Sequence, residues 1–193
     1  MTDALVELND NVTRRVRAGF DTFEEVVEDV TDLMTDEHPG TEWRPAVELA
    51  TLDAFNAQRV DQASWPSVTD CDRIDNAFAA LESAGIVARQ NFACCQNCGH
   101  DEIMDEVREA AATADVRGYV FFHMQDTDGV LEDGELFLAY NGRDDQQAVG
   151  WEIVEALKAQ GLAVSWDGDV KKRIVVKGIR WLRRRDFSTW GRA

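Results

Sequence analysis

The sequence predicts an α+β protein: N-terminal helices followed by a ferredoxin-like (split βαβ), mainly antiparallel sheet with its helices on one face. Three observations lead there. Through the first third of the chain, apolar residues recur at helical spacing. From Ile86 onward, short apolar runs alternate with amphipathic helical stripes. Near the end, Asp167-Gly168-Asp169 separates two apolar runs, which is a hairpin-turn signal.

Leu5, Leu8, Val12 and Val16 mark a first helix that Gly19 stops. Asp21 or Thr22 caps a second. Its apolar stripe is Phe23, Val26, Val27, Val30, Leu33 and Met34, and its other face carries Glu24, Glu25, Glu28, Asp29 and Asp32. His38-Pro39-Gly40 breaks the chain. A third helix runs from about Pro45, a residue suited to the first turn, to Gln62. Val47, Leu49, Ala50, Leu52, Ala54 and Phe55 give it a broad apolar face, so burial on several sides is expected.

Trp65-Pro66 is the expected boundary, with residues 1–65 a helical segment and 66–193 an α+β domain. Thr69 or Asp70 caps a fourth helix, which buries Ile74, Ala77, Phe78 and Leu81 and ends at Gly85. Then the period changes. Ile86 to Phe92 reads as a strand and Asp101 to Ala114 as a helix. Gly118 to His123 is a strand, with Tyr119 to Phe122 apolar on both faces and so expected to be covered. Glu135 to Tyr140 is another strand, and the acidic run from Asp126 to Glu135 reads as a solvated hairpin loop. Asp144 to Gln160 is a helix stopped by Gly161. Leu162 to Trp166 and Arg173 to Trp181 are the two final strands. The order β-α-β-β-α-β is that of the split βαβ arrangement.

Charge narrows the function classes. The formal net charge is −17, unevenly spread. From Lys171 to the end, nine basic residues face one acid, Asp186, leaving −25 on residues 1–170. So acidic a body repels nucleic acid unless the basic C-terminal segment acts alone, and it favours a basic protein partner. Arg183-Arg184-Arg185, between Trp181 and Trp190, is expected to pair with acidic helices rather than with a polynucleotide. No secretory signal and no membrane span is legible, so a cytoplasmic location is expected.

The sharpest motif is Asn91-Phe92-Ala93-Cys94-Cys95-Gln96-Asn97-Cys98-Gly99-His100, between a strand and a helix. Together with Thr69 to Arg73, Gly85 to Val87 and Phe122 to Asp126, this run resembles a family of uncharacterised bacterial proteins, a domain of unknown function. The resemblance spans roughly the last two thirds of the chain. It implies no activity.

Three readings of the cysteines stand. Cys95-x-x-Cys98-Gly99 is similar to one knuckle of a zinc ribbon, with Cys94 and His123 (or His100 and Cys71) completing the ligands, since no second Cys-x-x-Cys exists. A redox reading makes Cys95 and Cys98 a dithiol, against which stands an expected helix start after Cys98. A packing reading treats them as small apolar residues. His123 is by default a hydrogen-bonded structural residue. Asp126-x-Asp128-Gly129 lacks the later glycine and glutamate of a calcium loop. No phosphate loop, nucleophile elbow or His-Glu-x-x-His occurs. The expected function is therefore a binding or regulatory protein with a structural or sensing cysteine site, rather than an enzyme. The alternative is a thiol oxidoreductase or metal-dependent enzyme using the Cys94–Cys98 cluster with His123 and Asp126. Strand topology is expected to bring the cysteines and His123 to one sheet edge.

Overall fold

A computed structural model describes residues 2–188. Trp190 and Arg192 lie outside the described residues. The chain forms two compact units: Met1–Ser67 together with Leu182–Ala193, and Val68–Trp181. Among the described residues there are seven helices and a five-stranded mixed sheet, with helices first, so the α+β class holds. No described helix is long and apolar enough to cross a membrane.

The first unit contains α1 (Thr2–Ala18), α2 (Phe23–Glu37) and α3 (Arg44–Gln62). Thr22 caps α2 reciprocally: its hydroxyl accepts from the Glu25 N–H at 3.2 Å and its own N–H donates to the Glu25 carboxylate at 2.7 Å. The expected α2 stripe is buried at Val26, Val27, Val30 and Met34, packed with Leu8, Val12 and Val16 of α1 and with Val47 and Phe55 of α3. The broad burial expected of α3 is not found. Val47, Thr51, Phe55 and Gln58 form one narrow buried stripe, while Leu49 and Leu52 are exposed. Spacings of four, four and three residues keep one stripe on one face, and the neighbouring leucines fall beside it.

Residues 182–188 run along this unit. The Arg185 N–H donates to the Gln62 side-chain oxygen at 2.9 Å, and the Gln62 amide returns a bond to the Arg185 carbonyl at 2.9 Å. The Arg185 guanidinium donates to the carbonyls of Val16 and Asp21 and to the Gln58 side-chain oxygen, and lies over the Phe55 ring. Burial pulls its pKa below the usual guanidinium value. The last arginine of the sequence's basic run thus holds carbonyls and a ring, an internal use the charge count alone does not reveal.

The second unit holds α4 (Asp70–Ser83), β1 (Ile86–Arg89), α5 (Gln96–Ala111), β2 (Gly118–Phe121), α6 (Met124–Asp133), β3 (Glu135–Gly142), α7 (Gln146–Ala159), β4 (Ala163–Ser165) and β5 (Ile174–Lys177). The strand order is β1-β2-β3-β5-β4, with β1 and β2 parallel and the other pairs antiparallel. A ferredoxin-like split sets a strand between the two parallel ones. Here Val87 pairs directly with Tyr119, so nothing separates them. The expected hairpin loop after β2 is instead α6.

Alternation assigns the faces. Val87, Tyr119, Phe121 and Ala139 pack with Ile103 of α5. On the other face Phe122 meets Phe78 of α4 edge-on, and Gly118 sits against Val149 of α7. Helices therefore cover both faces, α5 opposite α4 and α7, and the one-face expectation is corrected. An apolar stripe states that a helix is buried on one side; it does not state which side of the sheet receives it.

Candidate functional site: a cysteine cluster at two helix starts

Because β1 and β2 are parallel neighbours, their C-terminal ends release the chain at one edge, where ligands of α/β sheets commonly bind. The two exits are sewn together. The Phe92 N–H donates to the Phe122 carbonyl at 2.9 Å, the Met124 N–H to the Ala93 carbonyl at 3.1 Å, and the Thr127 hydroxyl to the Asn91 side-chain oxygen at 2.7 Å. Asn91 (φ 51°) and Ala93 (φ 60°) occupy the left-handed region. Asparagine tolerates this; alanine pays roughly 1–2 kcal/mol. Those hydrogen bonds hold the strained turn, and it delivers Cys94 and Cys95 to the start of α5.

The helix starts at Gln96, earlier than the expected Asp101. Cys95 is therefore the N-cap and Cys98 the third helical residue. The sulfurs of Cys94, Cys95 and Cys98 all lie within 4.8 Å of one another. Cys94 is exposed; the other two are half-buried. The Cys95 thiol is held below its ordinary pKa, chiefly by the Cys98 backbone N–H and then by the Cys98 thiol, with Cys94 and the Asn97 backbone adding to it. This is the helix N-terminus favouring an anion. Cys98 is pushed the other way, up to about 12, chiefly by its hydrogen-bonding contact with the Cys94 sulfur and then with that of Cys95.

Gly99 sets how closely this turn approaches the sheet. A Cβ there would stand 2.4 Å from Cε2 of the fully buried Phe121 ring. Gly99→Ala should therefore destabilise the sheet unit despite improving helix propensity. Overpacking costs roughly 1–3 kcal/mol and the propensity gain offsets about 1. Chemical denaturation checks the sign, and a changed thiol reactivity would show that the cluster moved with the helix.

His123 caps the neighbouring helix, α6. Its Nδ1 accepts from the Asp126 N–H at 3.3 Å, and its own N–H donates to the Asp126 carboxylate at 3.1 Å. Asp126 is buried and takes an ion pair from Arg173 at 2.5 Å; the same guanidinium nitrogen donates to the Phe137 carbonyl at 2.6 Å. Nothing in the sequence near Asp126 signals Arg173, because their neighbourhood arises only when β5 pairs with β3. Burial is the main cause lowering the His123 pKa; Asp126 opposes it, and Arg173 and His100 reinforce it. His100 is likewise lowered, by burial and then by Arg173, and its Nδ1 lies 2.9 Å from the Tyr119 hydroxyl. Both histidines are thus kept neutral.

Since the unfolded chain takes up these protons near pH 6.5 and the folded one only at lower pH, stability is complete above 6.5 and falls as the pH drops below it. His123→Asn keeps an N-cap acceptor and removes one of the two protons. The expected result is a shallower loss of stability between pH 6.5 and the acid side, measured by denaturation at several pH values. An unchanged slope would assign the effect to other groups.

The remaining expected ligands are placed as follows. His123 and His100 both lie outside the three-sulfur group. Cys71 is buried within α4 and also outside it. For the third reading, simple packing, Cys95 and Cys98 are half-buried while Cys94 is exposed.

The family model for a domain of unknown function (DUF6891) matches residues 1–185, and the chain belongs to that family. The match includes the N-terminal helices as well as the last two thirds, where the motif resemblance was carried. No curated protein and no solved structure matches the chain.

Proposed function

We propose that this chain is a regulatory or binding protein whose Cys95 and Cys98 form a thiol switch. One observation carries the reading. Cys95 is the N-cap of α5 and Cys98 lies one turn on, with their sulfurs inside the 4.8 Å group. The helix start that counted against a dithiol in the sequence is therefore displaced in its favour. Cys95 supplies the thiolate; Cys98, or the exposed Cys94, is the resolving thiol. Closing the disulfide removes two protons and two electrons, which a peroxide or a small disulfide takes up.

The test is a thiol count and disulfide map after treatment with a stoichiometric small disulfide. The expected outcome is loss of two of the four thiols, with Cys95 joined to Cys98. Retention of all four would overturn the switch.

A second reading rests on the same three sulfurs, whose softness and spacing suit zinc. A fourth ligand from His123 would require its ring to leave the α6 cap, so a three-thiolate site with an exogenous fourth ligand fits better. Elemental analysis of protein purified without added metal or chelator decides between them. One zinc per chain with protected thiols favours the metal; reactive thiols without zinc favour the switch.

A further inference from the structure

We infer that the trough between α5 and the Val170–Arg173 segment is a binding site for a small amphipathic anion, such as a medium-chain carboxylate. This inference does not depend on the chemistry of the cysteines.

On its sheet face α5 leaves an open channel beside it. Two cavities lie end to end along that channel. One, of ≈ 200 Å³, has an apolar wall of Val107, Ala111 and Val116. The other, of ≈ 320 Å³, is bounded by Gln96 and His100 on the helix and by Lys171, Lys172 and Arg173 opposite. Met104, Tyr119 and Asn141 line both, so the two cavities are neighbours that share one wall.

The charge of the lining singles this place out. The chain carries 37 acidic residues, yet none lines either cavity. Lys172 is occupied by Asp167 at 2.5 Å, and Arg173 gives one nitrogen to Asp126. The Arg173 Nε is buried without a hydrogen-bond partner. That atom is closed to solvent, so Arg173 brings its positive charge to the cavity wall rather than this donor. Lys171 enters none of the ion pairs among the described residues, so its charge is available to an anion. The floor is already ordered: His100 and Asn141 both engage the Tyr119 hydroxyl, so binding does not have to fix that side chain. An apolar pocket at one end and unspent donors at the other is how sites for small amphipathic ligands are built.

The probe is octanoate, titrated into the full chain by calorimetry, with hexanoate and 1-octanol as comparisons. Octanoate should bind at one site, about tenfold tighter than hexanoate, since two methylenes are withdrawn from water. Octanol, lacking the charge, should bind about tenfold more weakly than octanoate. Met104 is 42% exposed and Lys171 is exposed, so Met104→Asp and Lys171→Glu should fold normally, and each should weaken octanoate by about tenfold. Lys158→Glu, outside the trough, should change nothing. No saturable octanoate binding, octanol binding as tightly as octanoate, or unchanged affinity in both trough variants would each overturn the assignment.

Discussion

Replacing Arg185 with Met should destabilise the helical unit by about 3 kcal/mol or more. The guanidinium links three places that are distant in sequence: the end of α1 through the Val16 carbonyl, the α1–α2 turn through the Asp21 carbonyl, and α3 through Gln58. Methionine preserves much of the volume and the contact with Phe55, but leaves those acceptors without a donor. Each charged hydrogen bond contributes about 1.5–3 kcal/mol, and three are lost together. Lysine would not rescue the variant, because one ammonium cannot span the fork of a guanidinium. Hydrogen exchange of the α1–α3 amides gives a readout confined to this unit. Arg184→Met is the control. Its bond to the Pro66 carbonyl is exposed, so a change within about 0.5 kcal/mol is expected. Equal exchange rates in wild type and Arg185→Met would show that residues 182–188 do not hold the helices.

What the sequence revealed and what it concealed divide along physical lines. The helices with an apolar stripe and an ordinary cap were legible, as at Thr22 and Thr69, where threonine and an acid three residues on form a capping box. α6 was not. Its cap is a histidine, and its only buried residues are Asp126, Thr127 and Val130, so neither the cap rule nor the apolar period detects it. That omission propagated. A hairpin in place of α6 led to a split sheet, and the split sheet put the helices on one face. The cysteines and His123 still reached the same edge, since parallel strands release both at their C-terminal ends whether or not a strand lies between. The early start of α5 was concealed because Asn97, Cys98 and Gly99 are poor helix formers; burial of Gly99 against Phe121 outweighs propensity there. Arg173 and Tyr119 were invisible for a different reason. They join the site through strand pairing, and no local pattern encodes a partner so far along the chain.

Cys95→Ser should abolish most of the thiol reactivity of the cluster at neutral pH, with the alkylation rate falling at least tenfold. Reactivity follows the thiolate fraction, and the two candidate nucleophiles of the dithiol are driven apart. Cys95 is lowered by the N–H groups that open α5, whereas Cys98 is pushed up and so stays a thiol at neutral pH. Serine is a favoured N-cap residue and the Cys95 side chain makes no capping hydrogen bond to lose, so the helix start and the fold should survive, and the loss then reports chemistry and not collapse. The sign of the pH dependence follows. A lowered thiol reacts down to lower pH, so in the wild type the rate should hold as the pH falls below the ordinary thiol range, and in Cys95→Ser the surviving rate should rise only on the alkaline side. Cys98 should itself become more acidic in that variant, because contact with Cys95 is the second cause of its raised pKa; contact with Cys94, the first, remains. Cys98→Ser should act differently, leaving fast alkylation of Cys95 while preventing closure of the Cys95–Cys98 disulfide. A wild-type rate no faster than that of a free thiol, or equal rates in wild type and Cys95→Ser, would remove the thiolate from Cys95 and the switch with it.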